Sequence, residues 1–252
     1  MELKYCSENQ ELELTQRQVN ISNDLTTAAH GLTLSEKRLI MGCVAMLDSV
    51  KLESGRYKIK MTALEFAEGF KIDPKTVYQQ IKAIIARLYD RSIKRIVDTP
   101  KGKKIISHRW VSSVTYHDGE GWFELGFSHE ATPYLVALRG NHTSYKLEQA
   151  AALRSIYSWR LLEMLMQFKS TNLLRVSIEN FCHAMDVPET YRKNFKDLRN
   201  RVIDVAVKEL REKDNWLIEW KGTKHGGRKI TGLEFRFKRN AQQSLFAPET
   251  VT

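Results

Sequence analysis

Apolar positions recur at two periods along the chain, and the alternation between the periods lays out an architecture. Leu39, Ile40, Val44 and Leu47 fall at helical spacing, and Thr33 with Glu36 three residues on places a capping box before them. Past a turn at Glu53-Ser-Gly55, Tyr57–Met61 alternates as a short strand. Thr62 and Glu65 form a second capping box, opening a helix that ends near Gly69-Phe70. Asp73-Pro74 then supplies an N-cap with proline at the first helical position, and Val77, Ile81, Ile84, Ile85 and Leu88 share one face. Two short helices across a four-residue turn predict a helix-turn-helix. Strand patterns follow over Ile93–Val97 and Ile105–Tyr116, divided by a turn at Thr99-Pro-Lys-Gly102, and Trp122–Phe127 alternates back after the turn His117–Gly121.

The same order returns roughly 115 to 120 residues downstream. Leu153, Ile156, Tyr157, Leu161, Met164, Leu165 and Phe168 make a helical stripe, and Leu174-Arg-Val176 is a short strand. Ser177 caps a helix carrying Ile178, Phe181 and Met185, which Asp186-Val-Pro-Glu189 breaks. A long helix carries Phe195, Leu198, Val202, Val205, Ala206 and Leu210. Strands at Trp216–Trp220 and Ile230–Phe237 flank a basic, glycine-rich turn, 221–229. Helix, helix and hairpin in this order describe a winged helix. The expected fold is α+β: two tandem winged-helix domains in a pseudo-two-fold relation, at 21–144 and 145–240, with a flexible arm at 1–20 and a flexible tail at 241–252.

Composition adds limits. The 252 residues are 42% hydrophobic and 28% charged, enough to bury a core and unlike a disordered chain. Cys6, Cys43 and Cys182 are odd in number and far apart, which argues against a disulfide framework or a four-cysteine zinc site and for a reducing compartment. The apolar run from Leu39 to Leu47 is less than half of the ~20 residues a membrane helix needs, and the first residues lack a signal pattern. A cytoplasmic chain with no membrane partner is expected.

Charge then names a partner. Net charge is +10, and it is unevenly placed: residues 1–144 hold 20 Lys and Arg against 17 Asp and Glu, whereas 145–240 hold 20 against 12. The excess concentrates at Arg192, Lys193, Lys196, Arg199 and Arg201, with Asn200 among them, where the second reading helix begins. In a helix-turn-helix that end enters the major groove. A second cluster, Lys221, Lys224, His225, Arg228 and Lys229, falls on the expected wing. Solvated charge would not repeat on both elements that face a duplex, so double-stranded DNA is the expected partner. In the first domain the equivalent helix carries Lys75, Thr76, Tyr78, Gln79 and Lys82, and its hairpin Lys101, Lys103 and Lys104. This more mixed set fits either a second DNA contact or self-association.

Several stretches carry a family likeness: Asn23–Ala29 with Ser35–Leu39, Phe66–Phe70, Tyr145–Leu147, Ser158–Glu163 and Asp197–Val202. In this order the chain resembles the iteron-binding plasmid replication initiators, bacterial Rep proteins with two winged-helix domains. The resemblance implies binding to repeated origin sites, chiefly through the second domain, by a monomer active in initiation. It also implies a dimer that represses its own promoter through contacts of the first domain, and host partners such as a helicase loader, an initiator or the polymerase sliding clamp. Arg199 and Arg201 would contact bases or phosphates; Asn200 stands where relatives can carry a further basic residue. The tail segment Gln242-Gln-Ser-Leu-Phe246 is similar to clamp-binding peptides, with Leu245 and Phe246 seated in an apolar pocket and Gln242 setting register, although Gln243 replaces the usual leucine; a tail folded back on the core is the competing reading.

Enzymatic readings fare worse. Gly222–Gly227 has part of a phosphate-loop spacing, but Arg228-Lys229 follows and a strand, not a helix, comes next. None of the 7 histidines forms the close pair that a rolling-circle nickase needs. Glu219 with Asp204 or Asp214 is the remaining candidate for metal-dependent nicking, and requires carboxylates to converge on a cation. No cofactor, catalytic residue or bound metal is therefore expected. A transcriptional regulator without a replication role shares every DNA-binding feature and stays as the alternative.

Overall fold

A computed structural model describes residues 12–47, 57–136, 140–224 and 226–240. The chain divides between Ala152 and Leu153 into two compact units. The first contains β1 (Gln18–Ser22), α1 (Asn23–Thr27), α2 (Leu34–Met46), β2 (Lys58–Thr62), α3 (Ala63–Phe70) and α4 (Pro74–Leu88). These are followed by β3 (Ser92–Thr99), β4 (Gly102–Arg109), β5 (Val111–His117), β6 (Trp122–Phe127), β7 (His142–Lys146) and α5 (Glu148–Ala151). The caps form as their spacing dictates. Thr33 Oγ1 accepts from the Glu36 amide while the Glu36 carboxylate accepts from the Thr33 amide; Thr62 and Glu65 repeat the arrangement, and the Asp73 carboxylate caps α4 ahead of Pro74. Glu36 is wholly buried, and its two oxygens also accept Nε and Nη2 of Arg91 at 3.0 Å each. One carboxylate thus starts α2 and fastens the chain just after α4.

Three expectations change in this unit. The flexible arm expected over 1–20 is ordered in its later part: Leu14 packs where a Cβ on Gly69 would stand, and β1 pairs with β7 with Val19 fully buried. That pairing (Val19↔Tyr145) also keeps residues 145–152 in the first unit, so the second begins at Leu153 rather than 145. The strand expected over 105–116 is two strands. Trp110, fully buried with its indole donating to the His30 carbonyl at 2.9 Å, turns the chain between β4 and β5. A continuous strand would carry this large apolar ring on the open ribbon. β3 and β4 therefore form a separate two-stranded ribbon closed at Thr99↔Gly102, where Gly102 takes a φ of +114°. The winged-helix sheet has the order β2-β6-β5, with Ile59, Leu125 and Val114 in register.

The second unit runs α6 (Ile156–Gln167), β8 (Leu173–Ser177), α7 (Ile178–Ala184), α8 (Glu189–Arg192), α9 (Phe195–Leu198), a π-turn (Arg199–Ile203), α10 (Asp204–Asp214), β9 (Trp216–Thr223) and β10 (Gly232–Arg239). Its sheet order is β8-β10-β9. Strand alternation puts Trp216, Ile218 and Trp220 of β9 with Leu233, Phe235 and Phe237 of β10 against the helices, and leaves Lys221, Glu234 and Arg175 as a cross-strand row on the outer face. Beneath the helices Arg160 is buried with Glu163 (2.6 Å), and its Nε and Nη2 donate to the Ala184 carbonyl, tying α6 to the end of α7. The reading helix expected to begin at Arg192 and Lys193 starts later. Asn194 caps a fresh start at Phe195, its Oδ1 accepting from the Lys196 amide, so Arg192 and Lys193 precede the helix. Asparagine side chains that bond their own backbone compete with helix continuation, which is why the break falls there.

Candidate nucleic-acid interface

α7 and the α9–α10 helix form the second helix-turn-helix, and β9–β10 form its wing. At the start of the reading helix Lys196, Arg199, Asn200 and Arg201 are exposed, as is Lys193 just before it. Arg199 Nε donates to Asp204 Oδ2 at 3.1 Å, and its guanidinium lies 5.8 Å from the centre of the Trp220 ring. Arg201 reaches Asp197 at 3.6 Å and lies 5.2 Å over Tyr191. Arg192 is turned to another use: Nε donates to the Val187 carbonyl at 2.6 Å and Nη2 to that of Cys182, which holds the loop between α7 and α8.

Trp220 joins helix to wing. Its ring neighbours Phe195 and Phe235, its indole donates to Asp204 Oδ1 at 3.2 Å, and the next residue, Lys221, begins the wing. Lys224, Arg228 and Lys229 are exposed in the wing turn, where Gly226 has a φ of +70°. His225 lies outside the described residues. The wing's outer face is organised by Glu234, whose carboxylate accepts from Arg175 and Arg236 and pairs with Lys221 at 3.3 Å. The Arg175 guanidinium first, with Lys221 and Arg236, outweighs burial and holds this carboxyl down at about 2.

The first unit presents different chemistry. Lys75, Thr76, Tyr78 and Gln79 are exposed on α4, but Lys82 pairs with Asp118 in the wing turn, and that hydrogen bond raises the lysine's pKa. Gly121 has a φ of +66°, and a Cβ there would stand 2.8 Å from the Tyr78 ring, so glycine lets the wing close on the reading helix. Trp122 donates to Glu120, stacks on His117 and lies 3.8 Å beneath the Lys60 ammonium; the indole bond lowers the Glu120 pKa. Lys101, Lys103 and Lys104 are exposed, but on the β3–β4 ribbon rather than on the β5–β6 wing. The ribbon also exposes Ile96 and Ile105, directly paired across the strands, to 42% and 72%.

Sequence reasoning missed Trp220, Glu234, Arg175 and Arg236 as parts of this surface. A strand alternation that continues to Arg239 was the available signal for Glu234 and Arg236; Arg175 is revealed by the pairing of β8 with β10 and Trp220 by the helix-to-strand packing. Two of the three carboxylates of the nuclease reading are engaged elsewhere: Asp204 with Arg199 and Trp220, Asp214 with Trp216 and Arg239. Among the described residues no group of three or more His, Cys, Asp or Glu is placed to hold a metal ion. No helix among them is long and apolar enough to cross a membrane. Cys43 and Cys182 are free thiols whose pKa values burial pushes up. Gln242, Leu245 and Phe246 lie outside the described residues.

Two helix-turn-helix units, each completed by a β-hairpin, define a tandem winged-helix protein of the DNA-binding class. Residues 18–166 match the family Initiator Replication protein, WH1, and residues 177–237 match Initiator Rep protein, WH2. The chain belongs to this family of plasmid replication initiators. The first match runs past the division at Ala152 and includes most of α6, which packs in the second unit. Among relatives in Escherichia coli, an uncharacterised 27.6 kDa protein is 25% identical over 80% of this chain and 88% of its own length. A PI protein is also 25% identical, over 85% of this chain and 80% of its own. A replication initiation protein is 25% identical over 77% of this chain and 62% of that protein. The solved structure of the Pi initiator protein in complex with iteron DNA superposes with a TM-score of 0.74, at 22% identity, over 90% of this chain and 99% of that one.

Proposed function

We propose that the chain starts replication of a plasmid by binding repeated duplex sites at its origin, and that the second unit does most of the reading. The observation that carries this is the meeting of the two cationic elements at Trp220: Arg199 from the reading helix lies on its ring, and Lys221 of the wing follows it in the chain. Arg199, Arg201 and Asn200 then face base edges, while Lys193, Lys196, Lys224, Arg228 and Lys229 neutralise phosphates. The Pi initiator's complex with iteron DNA supplies the corresponding site class.

The first unit has a second role in this reading. A β4 edge unpaired among the described residues and the exposed Ile96–Ile105 pair on a two-stranded ribbon are a template for pairing with another copy, flanked by Lys101, Lys103 and Lys104, which set register by charge. A dimer joined there would leave initiation and repress the chain's own promoter. The C-terminal Gln242, Leu245 and Phe246 would dock on the sliding clamp, and other host replication proteins, a helicase loader or an initiator, would be recruited alongside. Footprinting on the DNA flanking the gene tests the site: protection of several direct repeats supports an initiator. A plasmid deprived of its own initiator and maintained when this gene is supplied in trans separates replication from regulation. Failure with the repeats present would favour a transcriptional regulator.

A further inference from the structure

We propose that Asp204 is a positioning residue that sets the DNA-reading pose of Arg199, and with it the discrimination between origin repeats and other DNA; this rests on the second unit being the reader. In an α-helix, residues five apart stand about 140° from each other around the axis, too far for side chains to meet. Arg199 and Asp204 are five apart, and they meet because the helix widens between them. The π-turn spans Arg199–Ile203, and the Asp204 amide donates to the Arg199 carbonyl, which brings Asp204 over Arg199. The Asp204 carboxylate then accepts Nε of Arg199 on Oδ2 and the indole of Trp220 on Oδ1. Two anchors, one from its own helix and one from the wing strand, fix the carboxylate, and the carboxylate with the Trp220 ring fixes the guanidinium.

The consequence lies in which nitrogens remain. Nε is taken, whereas Nη1 and Nη2 have no hydrogen-bond acceptor among the described residues and project as a pre-ordered fork from a side chain 58% exposed. A two-nitrogen fork matches O6 and N7 of guanine, and ordering it before binding spares the entropy of ordering it afterwards. Asp204 also cancels the long-range pull of Arg199 on any phosphate, so attraction to random DNA falls while a bidentate base contact survives. Arg201 is held more loosely, by Asp197 at 3.6 Å one α-turn back, with no such second anchor from the wing among the described residues.

The test measures Kd of the full chain for an origin-repeat duplex and for a random duplex of equal length. The variants are Asp204→Asn, Arg199→Ala and the double variant. Asp204→Asn should lower the specific-to-random ratio about tenfold. In the Arg199→Ala background the same change should alter it less than about twofold, because the residue through which Asp204 acts is gone. A ratio unchanged by Asp204→Asn, or a fall of equal size in both backgrounds, would overturn the proposal. Should Asp204→Asn fail to fold, Trp220→Phe removes one anchor and keeps the ring; a ratio equal to wild type would then be the refuting result. A wild-type chain that binds both duplexes equally would overturn the reading of the whole surface, which is a distinguishable failure.

Discussion

In the first unit the wing turn carries Asp118 and Glu120, and Asp118 takes Lys82 away from the reading helix. In the second, the corresponding turn carries Lys224, Arg228 and Lys229, and the acids stand behind it, Glu234 beneath the wing face and Asp204 behind Arg199. The two units share capped helices, a three-stranded sheet and an Arg–Glu pair with a buried carboxylate, so the scaffold does not distinguish them. What differs is where the carboxylates sit. In front of the cations they cancel the field a duplex would feel; behind them they order the cations and leave them facing outward. The fold repeats in this chain, and the placement of the carboxylates does not.

The largest expected difference between the units is in stability. Both partners of the second unit's pair are buried (1% and 0% exposed), so Arg160→Ala should cost about 3–5 kcal/mol by removing the guanidinium that pairs with the buried Glu163 carboxylate. Arg91 is about a third exposed, water can reach Glu36 in its absence, and Arg91→Ala should cost about 1–3 kcal/mol. Urea denaturation of the full chain measures both, and the reverse order would break the comparison.

DNA affinity comes next. Arg199→Ala and Arg201→Ala should each lose about 1–3 kcal/mol on an origin repeat if they read bases, with little change on random DNA. Lys82→Ala, already paired with Asp118, should change binding by no more than about 0.5 kcal/mol. Lys224→Ala and Lys229→Ala should weaken all sequences alike and reduce the salt slope by about one charge each in a filter-binding titration. A separate effect concerns acid. Because Glu234 titrates at about 2 in the fold against an ordinary 4.5, its stabilisation is complete above pH 4.5 and disappears as pH falls through 2. Acid melting followed by circular dichroism should show a loss of stability in that window that Glu234→Gln lacks.

Much of this was legible before any coordinates. Thr33–Glu36, Thr62–Glu65, Asp73-Pro74 and Ser177 mark helix starts through local side chain–backbone bonds, and local chemistry is what sequence spacing records. The errors share a different cause. Whether 105–116 is one strand or two depends on where Trp110 can be buried, and that is settled by the His30 carbonyl 80 residues away. Whether Lys82 is available depends on Asp118, and whether Arg192 is available depends on the Val187 and Cys182 carbonyls. Charge clusters can be counted in the sequence; which charges cancel depends on tertiary contacts. The stretch 158–163, which carries part of the family likeness, proves to be core: Trp159, Arg160 and Glu163 are buried, so it identifies a scaffold rather than a binding surface.

The most direct measurement compares two triple charge reversals in the full chain on one origin-repeat duplex. Lys224→Glu, Arg228→Glu and Lys229→Glu alter the second wing; Lys101→Glu, Lys103→Glu and Lys104→Glu alter the ribbon of the first unit. The wing triple should weaken binding by about a hundredfold or more at moderate salt, and the ribbon triple by less than about threefold. A ribbon triple that abolishes binding while the wing triple spares it would contradict the account.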